Sequence, residues 1–391
     1  MVGNSKRRKK KLEVRGHDVE EQIDRFSDLP DNIIERILSF LDTKSVVQTS
    51  ILSRRWRCLW KAVPSLNFYR KCFRKKSSFI EHVNKFLSLR FDSVTVGSIT
   101  FDFGRDLWRR DGIELFHSVM QHAAAGNGGH LRHLSIASAK SSDLAASIVV
   151  FDHHESLQIL KLKGSDLHNS ALASLGFKLL TTLELHRCHL PEPLANLPAC
   201  LNYLKLLDCT SPHRMKVSAP QLLDLEIRSL NCGGVEVSAS KHKSFRLGYD
   251  LIGLKVTPYT LNFPSLDHAN IRIWSEPVVW SNDDDPILED YCRAYMNLLR
   301  GLHNVEFLGL CFDKSDRGNP WQERLFSFSR MKPLIDSSEA SPFTRLKTLT
   351  VLYPEDPPSL PYEVIRYFFE SSSSTGEKSV KFEEDQISNG S

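Results

Sequence analysis

Across 391 residues this chain has no CxxC pair, no apolar stretch near the roughly 18 residues of a membrane span, and little excess of either charge. Each absence removes a class of protein. Its eight cysteines, Cys58, Cys72, Cys188, Cys200, Cys209, Cys232, Cys292 and Cys311, stand apart from one another. The basic N-terminus MVGNSKRRKKKLEV has no apolar run behind it, so it does not read as a secretory signal. Scattered cysteines without an export signal are expected to be reduced thiols of the cytosol or nucleus, not a disulfide framework. A net charge of +4 is too small for a chain that acts as a polycation along its length, and no membrane association is expected. His186, Cys188 and His189 fall together in HRCHL, but zinc takes about four ligands. Nothing nearby completes that set, so no metal is expected.

Catalytic signatures are missing too. There is no GxSxG, no GxxxxGK[ST], no HExxH and no GxGxxG. GNGGH at 126–130 is glycine-rich, yet it joins a helical pattern to an extended one and reads as a loop. His153 and His154 are adjacent and cannot easily share a face. The chain is expected to be no enzyme and to need no cofactor.

What is present starts at residue 26, with FSDLPDNIIERILSFLDTKSVVQTSILSRRWRCL. Pro30 suits the first turn of a helix, and Asp28 and Asp31 favour its positive end. Ile33, Ile34, Ile37, Leu38, Phe40 and Leu41 recur at helical spacing over a broad face. Thr43 is the expected cap of a second helix carrying Val46, Val47, Ser50 and Ile51 on one side. Ser53 is the expected cap of a third, with Trp56 and Trp60 on one face. About 40 residues offer little interior for so much apolar surface, so the block needs something to pack against.

LPDNIIERILSFL, a short gap, then TSILSRRWRCLW closely resembles the F-box, over roughly residues 26–68. The trailing LWKAVPSLNF is similar to plant F-box proteins. The resemblance implies docking on a Skp1-like adaptor and, through it, on a cullin-RING ubiquitin ligase. Carried over position by position, it implies an adaptor-binding set of Leu29, Pro30, Ile34, Ile37, Leu38, Leu41, Val46, Ser53, Trp56 and Trp60. Some of these must instead hold the helices together.

Behind this block an L-x-x-L-x-L pattern recurs. Its middle apolar position falls at Leu134, Leu160, Leu183, Leu204, Leu225 and Phe245, with gaps of 26, 23, 21, 21 and 20 residues. Weaker copies centre on Ala269, Leu308 and Leu349. A period of about 20–29 residues belongs to leucine-rich repeats. Leu180-Leu183-Leu185-Cys188-Leu190 matches the longer signature, so Cys188, and Cys209 at the equivalent place, are expected to point inward at a turn. One repeat cannot bury its apolar face alone, so the copies are expected to stack. Upstream, helices are expected around Phe79–Leu87 and Ile113–Ala124, with a strand at Ser98–Phe103. Plant F-box/leucine-rich-repeat proteins show a similar succession.

The expected architecture is therefore an α+β chain, a three-helix F-box followed by an irregular leucine-rich-repeat solenoid of α-β type. Its expected divisions are a basic disordered tail at 1–25, the F-box at 26–68, linker helices and a first strand at 69–130, the repeats at 131–370, and a disordered tail at 371–391. Insertions are expected near 275–302 and 311–342. The six basic residues Lys6, Arg7, Arg8, Lys9, Lys10 and Lys11 resemble a nuclear-localisation or polyanion-binding tract and are equally compatible with a solvated tail; the chain is expected in the nucleus, the cytoplasm or both.

Three functions are compatible with these features. The leading one, resting on the resemblance, is a substrate-recognition subunit of an SCF-type (Skp1-cullin-F-box) ubiquitin ligase. Its repeats would hold a target protein whose identity one sequence does not reveal. The second is a repeat scaffold with no ligase role. The third is nucleic-acid binding, suggested by a stretch with no acid from Thr43 to Ile80 that carries ten Lys and Arg residues. Trp56 and Trp60 count against it, because a recognition helix does not normally present two indoles beside its arginines.

Overall fold

The structure, a computed structural model, describes residues 29–107, 110–125, 130–141, 154–165, 167, 177–190, 194, 197–238, 243–250, 259–274, 297–312, 343–353, 362–370 and 378–384. The Lys6–Lys11 tract and most of both insertions lie outside these residues.

Three short helices open the described chain. Helix α1, Asp31–Ser39, starts under Pro30, whose carbonyl accepts the N–H groups of Ile33 and Ile34. Helix α2 is Thr43–Gln48, and its cap differs from expectation. The Asp42 carboxylate accepts from Lys44 N at 3.0 Å and Ser45 N at 3.1 Å, while Thr43 is the buried first residue of the helix. A carboxylate satisfies two orphan N–H groups and complements the helix dipole, which a single hydroxyl does less well. Helix α3, Trp56–Leu59, has its Trp56 N–H donating to Ser53 Oγ at 3.5 Å.

The rest is organised by one open sheet of twelve strands, every neighbouring pair parallel. In chain order the strands are β1 (Ser65–Tyr69), β2 (Ser98–Asp102), β3 (His133–Ser141), β4 (Ile159–Ser165), β5 (Thr182–His186), β6 (Tyr203–Leu207), β8 (Asp224–Arg228), β10 (Ser244–Asp250), β12 (His268–Trp274), β13 (Phe307–Phe312), β14 (Thr348–Tyr353) and β15 (Ser379–Glu384). Strands β7 (Met215–Ser218), β9 (Val235–Ser238) and β11 (Tyr259–Asn262) make a second, three-stranded parallel sheet. Helix α4 (Lys76–Leu89) joins β1 to β2, α5 (Arg110–Ala125) joins β2 to β3, and α6 (Tyr362–Phe369) joins β14 to β15.

Register explains why the sequence period works. Leu134, Leu160, Leu183, Leu204, Leu225, Phe245, Ala269, Leu308 and Leu349 stand directly opposite one another in a single row across the sheet. A second row two residues on runs through Ile136, Leu162, Leu185, Leu206, Ile227, Leu247, Ile271, Leu310 and Val351. Both rows are buried. At roughly 1.5–3 kcal/mol per buried aliphatic side chain, these rows are the main force holding the copies together.

The turn after each strand repeats as well. Two residues past the second row, Gly164, Arg187, Asp208 and Ser229 all have positive φ, at 69°, 52°, 50° and 49°. The left-handed residue lets the chain leave the strand sharply. In three copies its N–H donates to the next strand: Arg187 to Leu207 O, Asp208 to Arg228 O, Ser229 to Gly248 O. The following cysteine then points inward. Cys188 Sγ donates to Leu162 O at 3.5 Å, and Cys209 Sγ to Leu185 O at 3.4 Å.

Three features depart from the expected divisions. The sheet does not begin at the first clear repeat: Leu66 and Ile99 extend the first apolar row upstream, so its first strand lies inside the stretch that resembles the F-box. The alternation of Leu66-Asn67-Phe68 is too short to show as a period. The expected disordered tail contains β15, paired to β14 with Val380 opposite Leu349. Its polar sequence hides a strand whose hydrogen bonds come from a neighbour. The second sheet was not expected, because four-residue alternations such as Met215-x-Val217 are lost between the stronger repeats.

The helical block is the cap of this sheet. Helices α1 and α2 pack on β1, the edge strand. Asn67 Nδ2 on β1 donates to Ser39 O at 2.9 Å and Leu41 O at 3.0 Å, satisfying carbonyls that the end of α1 leaves open. Lys44 Nζ donates to Cys72 O at 2.8 Å, and His82 on α4 meets Thr43 Oγ1 at 3.1 Å. Trp60 lies 5.2 Å from Phe86, which meets Phe68 edge-on at 5.7 Å. Buried Arg90 donates to Val63 O at 2.5 Å and Val94 O at 3.2 Å; burial pushes its guanidinium down to about 10, so it is still charged at neutral pH.

Candidate functional site

Helix α1 carries two apolar stripes. Ile34, Leu38 and Leu41 follow one line at helical spacing, and Ile33, Ile37 and Phe40 the next. The first line turns inward: Ile34 and Leu38 are fully buried, and Leu41 packs partly buried on the core. The second faces solvent, with Phe40 76% exposed. After α2 the chain adds Ile51 at 85% and Leu52 at 62% exposure. Large aliphatic and aromatic side chains this exposed, concentrated in 20 residues from Ile33 to Leu52, mark an interaction surface.

The residues named from the resemblance divide accordingly. Ile34, Leu38, Val46, Trp56 and Trp60 are buried. Trp56 and Trp60 share a face, as their spacing predicts, and that face is internal. Leu29 and Leu41 are partly buried against the core, and Ser53 is half-buried at the start of α3. Only Pro30 and Ile37 are exposed. Ile33, Phe40, Ile51 and Leu52 are the accessible residues outside that set.

The basic stretch from Lys44 to Lys76 is largely engaged within the chain. Arg55 pairs with Asp31 at 2.5 Å, Arg70 with Asp106 at 2.6 Å and Lys76 with Asp111 at 2.8 Å. Lys44 and Lys61 lie over the rings of Phe73 and Trp60, and Lys71 over that of Tyr69. Arg54, Arg57, Arg74 and Lys75 are exposed.

The outward face of the main sheet is the second surface. Its middle row reads Lys161, Glu184, Lys205, Glu226, Arg246, Asn270 from β4 to β12. Lys161 pairs with Glu184 at 2.9 Å and Lys205 with Glu226 at 3.0 Å. Tyr203 Oη donates to Glu226 at 3.1 Å; burial and that carboxylate push its phenol up to about 12. His186 Nε2 lies 3.2 Å from Asp208, and burial lowers its pKa. His189 is turned to Thr210 at 3.1 Å, so HRCHL forms no common ligand set. Among the described residues no group of three His, Cys, Asp or Glu side chains could hold a metal ion, and no helix is long and apolar enough to cross a membrane.

The F-box domain family matches residues 26–68. Among curated relatives, the chain is 29% identical over 302 residues to an Arabidopsis thaliana protein, F-box protein At3g60790, covering 68% of this chain and 61% of the relative. It is 27% identical over 317 residues to the F-box/FBD/LRR-repeat protein At5g56420 of the same plant, covering 76% and 67%. F-box/LRR-repeat protein 13, also from Arabidopsis thaliana, is 41% identical over 86 residues, covering 22% and 18%. The chain thus spans about two thirds or less of the length of these relatives.

An F-box at the N-terminus of a large open parallel sheet places the chain in the class of F-box proteins. Within that class the relatives it resembles include plant F-box/leucine-rich-repeat proteins.

Proposed function

We propose that this chain is the substrate-recognition subunit of an SCF-type ubiquitin ligase. The observation that carries the reading is the second apolar stripe. After Ile34, Leu38, Val46, Trp56 and Trp60 have filled the interior, Ile37, Phe40, Ile51 and Leu52 still face solvent. A Skp1-like adaptor covers them and links the chain to a cullin. The parallel sheet is a leucine-rich-repeat solenoid, and its outward face holds a target protein. The chain itself is a non-catalytic adaptor: it supplies proximity and orientation, while the partner enzymes transfer ubiquitin. It acts in the nucleus, the cytoplasm or both, with Lys6–Lys11 as the import tract. The engagement of most basic side chains between Lys44 and Lys76 within the fold favours this reading over nucleic-acid binding.

Co-precipitation with a Skp1-like protein and a cullin tests it. The wild-type chain should capture both, and Phe40→Asp/Ile51→Asp should lose both while remaining folded. Capture of the adaptor without the cullin favours a repeat scaffold outside any ligase. Capture of neither refutes the assignment.

A further inference from the structure

We propose that the outward face of β4, β5, β6, β8, β10 and β12 is a docking site for an extended, acidic segment of the target protein. The inference deepens the reading of this sheet as the target-binding half, and it rests on that reading.

The face has a charge pattern of its own. Across these six strands its first three outward rows carry six Lys and Arg residues and three acids. The middle row is self-neutralised in pairs, Lys161 with Glu184 and Lys205 with Glu226. The row beyond it reads Lys163, His186, Leu207, Arg228, Gly248, Arg272 and contains no acid. Lys163 and Arg246 are exposed, and among the described residues no ion pair engages either. Nearer the F-box the same face is nearly uncharged: on β1 and β2 its outward positions carry one acid, Asp102, and no Lys or Arg. The basic field is therefore local.

Shape and spacing narrow the occupant. Six parallel strands about 4.8 Å apart span roughly 24 Å, the length of about seven residues of extended chain. A chain crossing the strands would meet cations at Lys163 and Arg246, with the paired lysines between them. On β12 and β13 it would meet an apolar platform, where His268 and Phe307 stack with ring centres 4.6 Å apart and Phe307 exposed. An Asp- or Glu-rich segment with an apolar or aromatic residue toward one end fits this arrangement. The middle-row pairs add selectivity, since a basic segment would have to displace Lys161 and Lys205 from their carboxylates.

A random octapeptide library selected on the immobilised full-length chain tests the proposal. Selected peptides should be enriched in Asp and Glu over Lys and Arg by about tenfold, with the enrichment weakening in high salt. Lys163→Glu/Arg246→Glu should abolish it with an unchanged melting temperature; should that variant melt early, Lys163→Gln/Arg246→Gln takes its place. No acidic enrichment, or enrichment that survives the substitutions, overturns the proposal. So does a labelled 20-nucleotide single strand that binds more tightly than the selected peptides and is released by the same substitutions, since the field would then serve nucleic acid. Capture of a Skp1-like protein is measured on the same preparations. Lost capture with acidic selection retained supports this face and counts against the ligase reading alone. Retained capture without acidic selection overturns this proposal alone.

Discussion

Trp60→Ala and Ile51→Asp separate packing from the adaptor binding proposed for the F-box residues. Trp60 is buried between the helical block and the sheet, 5.2 Å from Phe86. Truncating a buried Trp costs about 3–5 kcal/mol, and little can collapse into the space, because Phe86 is already held edge-on by Phe68. Set against the 5–15 kcal/mol typical of a folded domain, that is a large part of total stability. Ile51 is 85% exposed, so Ile51→Asp should change stability by no more than about 0.5 kcal/mol. Its effect belongs to binding: an aliphatic side chain that becomes buried against an adaptor contributes about 1.5–3 kcal/mol, or roughly 10- to 150-fold in affinity. Urea unfolding followed by tryptophan fluorescence gives the first quantity, and titration calorimetry with a Skp1-like protein gives the second. The expected result is a crossed pair, with Trp60→Ala unstable and Ile51→Asp stable but weak in binding. A stable Trp60→Ala that loses the adaptor would refute the division drawn here, because the indole would then be a contact and not a wedge.

Other perturbations reach different parts of the fold. Arg90→Met removes a buried charge whose lowered pKa, about 10 against 12.5, corresponds to roughly 3 kcal/mol of desolvation. It also removes charge-assisted hydrogen bonds worth about 1.5–3 kcal/mol each to Val63 O and Val94 O, so net destabilisation of up to about 3 kcal/mol is expected in urea titrations. Gly112→Ala should be more damaging than its size suggests, because the added Cβ would fall 1.6 Å from Leu107 O; loss of soluble expression or a melting point lowered by several degrees would show it. Burial lowers the pKa of His82, His122, His133 and His186 below 6.5. A histidine whose folded pKa lies below its unfolded one supports stability above about pH 6.5 and loses that contribution as the pH falls through the folded value. Melting temperatures should therefore decline from pH 7 to pH 5, and His82→Phe should lessen the decline.

Much of the architecture was legible because its period is set by burial. Each L-x-x-L-x-L copy places two side chains in the two buried rows, and a period of about 21 residues survives wherever the loops stay short. The reading failed where a strand draws its stability from neighbours instead of its own pattern. Val380 lies in a polar tail and is recognisable only once Leu349 stands opposite it. The exposed apolar residues of α1 were half legible. Ile33, Ile37 and Phe40 repeat at the same spacing as Ile34, Leu38 and Leu41, so α1 visibly has two stripes. Which of them faces inward depends on where β1 sits, and β1 is legible only as three alternating residues. The aromatic pair was ambiguous for the same reason. Two indoles four residues apart require one buried face, and that requirement is met equally by a partner or by the chain's own sheet.

The helical block and the sheet are one mechanical unit, and this bears on the receptor role proposed above. An open sheet needs cover on its terminal strand, since the edge of β1 would otherwise expose its unpaired groups. Here the cap is the F-box itself. Asn67 closes the carbonyl end of α1, Lys44 reaches the carbonyl of Cys72, His82 meets Thr43 across the junction, and Arg90 holds Val63. No flexible linker separates the two parts, so the angle between the exposed apolar stripe and the outward face of the sheet is set by packing. A bound target would then be presented at one distance and orientation. Replacing Asn67 with Ala tests that coupling. The change leaves Ser39 O and Leu41 O without their donor, a loss of about 1–3 kcal/mol at the junction. Hydrogen exchange should then rise in α1 and β1 together, ahead of β5 and β6. Faster exchange confined to α1 would mean that the cap moves independently of the sheet it covers.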